Sequence, residues 1–305
     1  GCVGWYGTLD ECVALCQRRQ RPGLRAHTAT VGSGHLPHVA VLSATALVLV
    51  NPASRRGAAL QARTLAAFAA AGVVADAVVT EYAGHAAALA RAVVDRYDQV
   101  FTLGGDGTAM EVVDALAGTE RAVGILAGGT GNLLARALGI PLDVRRAVPA
   151  LLAGHSRSID LGVLAGGRRF AVAAGVGIDA AMIAGAPPSA RRRFGVAAYV
   201  ASASAAILRR RTFAVRAVVD GRRVEHAHCA GAMIVNVGSI LNGVLQLGPG
   251  IRPDDGALDL CLYNAAGARD VVTLLGKMAL RDFREDPRLI FVRGSTIEIE
   301  TDPPQ

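Results

Sequence analysis

Val100-Phe101-Thr102-Leu103-Gly104-Gly105-Asp106-Gly107-Thr108 is the stretch on which the fold of this chain turns. An apolar run that stops on Gly-Gly-Asp-Gly-Thr reads as a buried strand delivering a phosphate loop. Adjacent glycines let the backbone reach positive φ and come within hydrogen-bond range of a phosphate, which a Cβ would obstruct. Thr108 is then placed to cap the helix that follows. Asp106 puts a carboxylate where a Mg²⁺ riding on a nucleoside triphosphate needs an oxygen ligand. A tight strand-to-helix turn without a ligand explains the same residues, so the flanking sequence has to decide.

The next apolar run, Ala122-Val123-Gly124-Ile125-Leu126, ends in Ala127-Gly128-Gly129-Thr130-Gly131-Asn132, and a helical stretch over 133–138 follows before Gly139 and Pro141. Two strand, glycine-loop and helix units in tandem favour the ligand. Backbone N–H groups at both helix starts, with Thr108, Thr130 and Asn132 as hydroxyl and amide partners, make a cradle for a polyphosphate.

Upstream the same rhythm holds. Strands are expected over 46–50, 73–80 and 99–103, with helices over 58–71 and 84–97, and the alternation continues to about Gly139. Short connections between alternating elements predict a mostly parallel sheet covered on both faces, with ligands beyond the carboxyl ends of the strands. Asn51, Thr80 and both glycine loops fall at such ends. After about His155 the pattern changes to short β-like runs at 158–163, 169–173, 213–219, 223–226, 232–237, 257–262 and 296–300, separated by turns such as Asp220-Gly221 and Asp255-Gly256. That is the pattern of an antiparallel sandwich. A helical segment over 191–211 breaks it, with Phe194, Val196, Tyr199, Val200 and Ile207 between two arginine triplets. It reads either as a packed helix with solvated ends or as a basic amphipathic element touching an anionic membrane.

The expected organisation is an α/β chain of two domains. A Rossmann-like parallel nucleotide-binding domain spans 45–154 and an antiparallel β-sandwich spans 155–305. Residues 1–44 form an N-terminal extension expected to be disordered, with a short helix over 9–19 as its one candidate element. At 305 residues there is enough chain for two cores. The longest apolar stretch, 39–50, is too short to span a bilayer. Five cysteines at irregular spacing argue against a disulfide framework and fit a reducing cytoplasm. Cys12 and Cys16 lie four apart, as two zinc ligands on one helix face would, but no second pair completes a site. The net charge of +7 comes mostly from arginine, Lys277 being the one lysine. A Walker-type loop is thereby excluded, since neither glycine loop carries its lysine. Aromatics at 4% without interleaving leave no stacking platform for nucleic acid.

The motifs taken together resemble the diacylglycerol kinase catalytic domain, and within it the bacterial lipid kinases grouped with sphingosine and ceramide kinases. The matching pieces are Asn51-Pro52, Thr80 before Gly84-His85-Ala86, the two glycine loops with Glu111, Leu138-Gly139-Ile140-Pro141, Asp160-Leu161-Gly162, Gly175-Val176-Gly177-Ile178-Asp179-Ala180 and Pro253-Asp254-Asp255-Gly256-Ala257-Leu258-Asp259. They run in the family's order from about residue 46 to the end. The resemblance implies an NAD kinase/diacylglycerol kinase-like first domain that binds ATP through Asn51, Thr80, Gly104, Gly105, Asp106, Gly107, Thr108, Glu111, Gly129, Thr130, Gly131 and Asn132. Asp106 is the residue expected to serve catalysis. On the residues alone, Asn51 either holds the first loop or touches phosphate, and Glu111 either contacts the nucleotide or braces the loop. A structural Mg²⁺ is implied at Asp255, with main-chain oxygens of Arg252 and Ala257; an ordinary Asp-Gly hairpin turn explains the same residues.

The implied reaction is transfer of the γ-phosphate of ATP to a hydroxyl of a diacylglycerol-like or sphingoid lipid. Its partners are a lipid substrate at a membrane surface and no nucleic acid, with peripheral contact at the inner membrane face of the cytoplasm and room for a homodimer. The family's catalytic base, a glutamate in a Gly-Glu pair near the C-terminus, is absent after Thr301-Asp302-Pro303-Pro304-Gln305, which carries the expectation of a truncated chain with impaired turnover. Ala127 stands where the family usually has proline. An NAD kinase-like enzyme and a non-catalytic nucleotide- or lipid-binding protein are the rival readings.

Overall fold

The structure, a computed structural model, describes residues 12–17, 45–177, 213–240, 243, 245–265 and 268–302. The helix considered over 191–211 lies outside the described residues. Strand β1 (Cys12–Gln17) comes first in the chain but belongs to the second domain.

The first domain is a wholly parallel sheet of β2 (Thr45–Val50), β3 (Val74–Val79), β4 (Gln99–Gly104) and β5 (Val123–Ala127), in the order β3-β2-β4-β5. After their first residues β2 and β4 are buried throughout, as strands must be when helices cover both faces. Helices α1 (Gly57–Ala70) and α5 (Val144–Ala153) close one face over Val48, Phe68, Phe101, Leu103, Leu126 and Val148. Phe68 meets Phe101 edge to face, with centroids 4.8 Å apart. On the other face α2 (His85–Val93) and α3 (Asp106–Ala115) pack over Leu47, Leu49, Val100 and Val112. The short helix α4 (Leu133–Ala137) follows β5. Helix α5 is an element the sequence pattern did not announce; Pro149 sits inside it and disguises it.

The second domain is the expected sandwich, with an addition. Strands β6 (Leu161–Val163), β7 (Arg169–Phe170), β9 (Phe213–Val219), β10 (Arg222–Cys229) and β16 (Thr296–Asp302) join β1 in a six-stranded sheet of order β10-β9-β16-β1-β6-β7. Opposite it, β8 (Ala173–Gly177), β11 (Gly231–Val235), β14 (Leu258–Tyr263) and β15 (Leu289–Gly294) run β15-β14-β11-β8. Every pairing in the two sheets is antiparallel. Between them lie Phe213, Val215, Ala217 and Val219 from one sheet and Leu258, Leu260 and Leu262 from the other. Each leucine buried to this degree contributes roughly 1.5–3 kcal/mol. The outer face of β14 carries Cys261 and Tyr263, covered by α6 (Ala268–Leu280) through Leu274 and Met278. A hairpin of β12 (Ser239–Ile240) and β13 (Leu245–Gln246) completes the described elements.

One correction concerns the N-terminal extension. Residues 12–17 are not part of a helix over 9–19: they form a strand that pairs with β16 on one side and β6 on the other. The two domains also share a core. Ala109, Ile125, Leu134 and Ala135 of the first pack with Leu161 and Ala171 of the second, and Asp114 on α3 accepts a hydrogen bond from Arg169 on β7 at 2.8 Å.

Candidate active site

Every loop singled out in the first domain leaves the carboxyl edge of the parallel sheet, and backbone hydrogen bonds tie these loops to one another. The Asn51 N–H donates to Leu103 O at 2.9 Å, and that of Thr80 to Val50 O at 2.8 Å. The N–H of Arg56 reaches Gly128 O at 2.9 Å, and that of Gly128 reaches Gly104 O at 2.8 Å. Asn51 braces the loop as folded: Nδ2 donates to Thr108 Oγ1 at 2.8 Å while Oδ1 accepts from the Ala53 N–H at 3.0 Å. Thr108 is therefore not the helix cap. Helix α3 starts two residues earlier, at Asp106, behind Gly105, and the Thr108 hydroxyl is buried against Asn51.

Glycine is required where the two loops touch. A Cβ on Gly129 would stand 2.5 Å from the Cα of Gly105, and backbone cannot yield as a side chain can. Asn132, in the left-handed region at φ 49°, locks the second loop by accepting from the Gly129 N–H and donating to Gly129 O, both at 2.9 Å. Asp106 joins the two loops. Its Oδ1 accepts from the Leu134 N–H at 3.1 Å, and a Cβ on Gly131 would lie 2.9 Å from its Oδ2. Burial raises the Asp106 pKa, opposed by the N–H groups of Leu134, Leu133 and Asn132. The carboxylate thus stands at the start of α3 and holds the start of α4. Thr130 is exposed beside it, and Glu111 is half-buried on the second turn of α3.

A polyphosphate fits this arrangement. The N–H groups in the first turn of α3 have no helical carbonyl to meet, and donors so placed suit an anion.

The turn before β14 has a different chemistry. Asp255 Oδ2 accepts from the Arg293 guanidinium of β15, and Oδ1 accepts from the Ala257 N–H at 3.2 Å. A hard cation wants several oxygens, and a cation at Asp255 would have to displace Arg293. Among the described residues no three His, Cys, Asp or Glu side chains gather at one point. As folded, Asp255 is engaged in an ion pair with Arg293.

Asp160, quoted only as part of a motif, and Asn236, inside the run expected over 232–237, have clear positions. Buried Asp160 accepts from the Gly256 N–H at 2.7 Å, and buried Asn236 donates from Nδ2 to Asp160 O and Ala171 O at 2.7 and 2.8 Å. They fasten the 253–259 turn to the start of β6. Their only sequence signal is a buried-type polar residue beside an apolar run, which does not name its partner.

Comparison with known proteins follows this division. The family profile of the diacylglycerol kinase catalytic domain matches residues 45–164, and that of the YegS C-terminal NAD kinase beta sandwich-like domain matches residues 171–305. The diacylglycerol kinase of Bacillus subtilis (strain 168) is 28% identical over 261 residues, covering 83% of this chain and 85% of its own. That of Staphylococcus carnosus (strain TM300) is 25% identical over 238 residues, covering 76% of each. A crystal structure of a diacylglycerol kinase from Bacillus anthracis str. Sterne superposes with a TM-score of 0.64 at 23% identity, over 85% of this chain and 86% of the other, a likeness of fold.

Proposed function

The chain belongs to the diacylglycerol kinase catalytic domain family, and from that premise we propose that it is an ATP-dependent lipid kinase, moving the γ-phosphoryl group to a hydroxyl of a diacylglycerol-like lipid. The observation that carries this reading is the contact of the two glycine loops at Gly105 and Gly129, bridged by Asp106. It makes one anion-binding edge out of two strand ends.

Bound ATP with its Mg²⁺ supplies a γ-phosphorus whose charge the metal partly neutralises. The residues of the chain do the positioning. First-turn N–H groups of α3 hold phosphate oxygens, Asn51 and Asn132 keep both loops from rearranging, and Asp106 keeps a carboxylate among them. The apolar cluster shared by the domains fixes the sandwich beside that edge, so a lipid acceptor enters between two surfaces already set relative to one another. Peripheral contact with a membrane is part of the proposal; no described helix is long and apolar enough to cross one.

The test is incubation of the purified chain with radiolabelled ATP, Mg²⁺ and either diacylglycerol, a sphingoid base or a total lipid extract. Label in a lipid product is expected. With NAD in place of the lipid, label in NADP instead favours the NAD kinase-like reading, which the name of the sandwich profile keeps in view. ATP binding with no labelled product favours a binding protein.

A further inference from the structure

An aromatic pair at the edge of the first domain lies outside the domain's buried clusters and outside the contacts that join the glycine loops. Tyr82 and His85 stack with ring centroids 4.5 Å apart and planes 3° from parallel. Tyr82 is 63% exposed, among the few large apolar side chains of the described residues that face solvent. The pair is held by its own turn. The Glu81 N–H donates to His85 Nδ1 at 3.1 Å, the His85 N–H donates to Tyr82 O at 3.2 Å, and Gly84 supplies the positive φ of 88° that the reversal needs. One face of the tyrosine is thus occupied by the imidazole, and the ring is presented at a fixed orientation.

The position of this turn matters more than its exposure. It follows Thr80, at the carboxyl end of β3, and β3 is the outer strand of the order β3-β2-β4-β5. The glycine loops leave β4 and β5, while Asn51, between them and Thr80, leaves β2. Neighbouring strands lie about 4.8 Å apart, so the Tyr82 turn sits roughly 10 Å along the edge from the first glycine loop. That is the scale on which a nucleotide separates its base from its terminal phosphates. Beyond β5 the edge is occupied by α4 and the second domain, whose Leu161 and Ala171 share a core with Leu134 and Ala135. Among the described residues, the β3 side is the one left for a nucleoside.

We propose that the Tyr82–His85 stack is the platform on which the purine base of the bound nucleotide lies. This rests on the nucleotide reading above and adds the place and chemistry of the base. The ring contributes a flat apolar face with no hydrogen-bond pattern for the base edge, so it favours a purine without choosing strongly between adenine and guanine. His85 is a positioning residue that holds the tyrosine from behind.

Calorimetry with ATP, GTP and inorganic tripolyphosphate tests this on the whole chain. Wild type is expected to bind ATP more tightly than tripolyphosphate. Tyr82→Ala should weaken ATP and GTP alike by about tenfold or more, the scale of one base–aromatic stack, and leave tripolyphosphate unchanged. Tyr82→Phe should bind like wild type, because the hydroxyl is not used. Tyr82 is exposed, so its removal should leave the thermal midpoint within a few degrees. Unchanged ATP affinity in Tyr82→Ala, or equal loss of ATP and tripolyphosphate, overturns the platform while leaving the nucleotide site standing. A wild-type chain that binds neither ATP nor tripolyphosphate overturns the nucleotide site itself, and the platform with it.

Discussion

The chain places Asp-Gly at three bends, and at two of them, Asp106-Gly107 at the start of α3 and Asp255-Gly256 before β14, the carboxylates are treated in opposite ways. Asp106 is met by neutral donors, the N–H groups that open α4. Those donors steady the charge without cancelling it, so the loop keeps its oxygen pair next to the backbone proposed to bind phosphate. Asp255 is met by a guanidinium, which cancels the charge and closes the turn onto β15. A dipeptide therefore says little about chemistry; the donor that reaches its carboxylate, 28 residues away in one case and 38 in the other, decides it.

The largest effect is expected from separating the loops that Asp106 joins. Gly129→Ala forces a methyl group to within 2.5 Å of the Gly105 Cα, so one loop must move off the other. Phosphoryl transfer should fall by at least about 100-fold, since displacement of reacting groups by an ångström costs that much. A variant with wild-type turnover would break the view that the two loops act as one edge. Asp106→Asn is the next step down. It keeps an oxygen acceptor for the Leu134 N–H but removes the charge, so turnover should fall about tenfold or more while the thermal midpoint moves by only a few degrees. If stability collapses instead, Asp106 is chiefly a brace and the contrast with Asp255 is one of degree.

Local pattern carried the first domain well because each of its signals is short-range. Strands near 46–50 and 99–103, helices after them and glycine loops at their ends all depend on neighbours in sequence, and β2, β4, α1 and α3 lie close to where the periodicity puts them. The sandwich strands β9, β14 and β16 were legible from their alternation for the same reason. Others were not, among them β12, β13 and β15, for which no run was expected. The run Cys12–Gln17 becomes a strand only because β16 and β6 leave a place between them, a tertiary cause that overrides local propensity. Pro149 hides α5, and the β-branched Val271, Val272 and Thr273 with Gly276 hide α6. The candidate site was legible as a set of loops, but not as a network. That Thr108 faces Asn51, that Asp106 reaches α4 and that Arg293 covers Asp255 are contacts across strands, on which sequence spacing is silent.

The Asp255 side of the comparison yields to a melting experiment. With Arg293 on its carboxylate, millimolar Mg²⁺ should leave the thermal midpoint of the wild type unchanged. Asp255→Ala should lower that midpoint by a few degrees with or without Mg²⁺, the size expected for one partly exposed ion pair. A rise with Mg²⁺ in wild type that Asp255→Ala abolishes would mean that a cation displaces Arg293, since an ion bound only by the folded state stabilises it by linkage. The two Asp-Gly bends would then both serve metal chemistry.

The smallest effect sharpens the comparison within the second bend. Asp259, four residues after Asp255, lies opposite Arg293 in the β14–β15 register, yet Arg293 gives its guanidinium to Asp255. Asp259 is buried, its Oδ2 has no hydrogen-bond partner among the described residues, and burial pushes its pKa up to about 6. An unfolded aspartate titrates near 3.9, so between those values the folded state holds a proton that the unfolded state has lost. Its contribution to stability is then complete below about pH 4 and is lost as pH rises through about 6. Asp259→Asn, which cannot ionise, should melt like wild type at pH 4 and higher than wild type at pH 7.5, by a few degrees at most once solvent screening discounts the shift. A variant that follows wild type at both pH values would show that Asp259 finds a charge partner in solution, and Arg293, the cation nearest in register, would then be shared between the two aspartates rather than committed to Asp255.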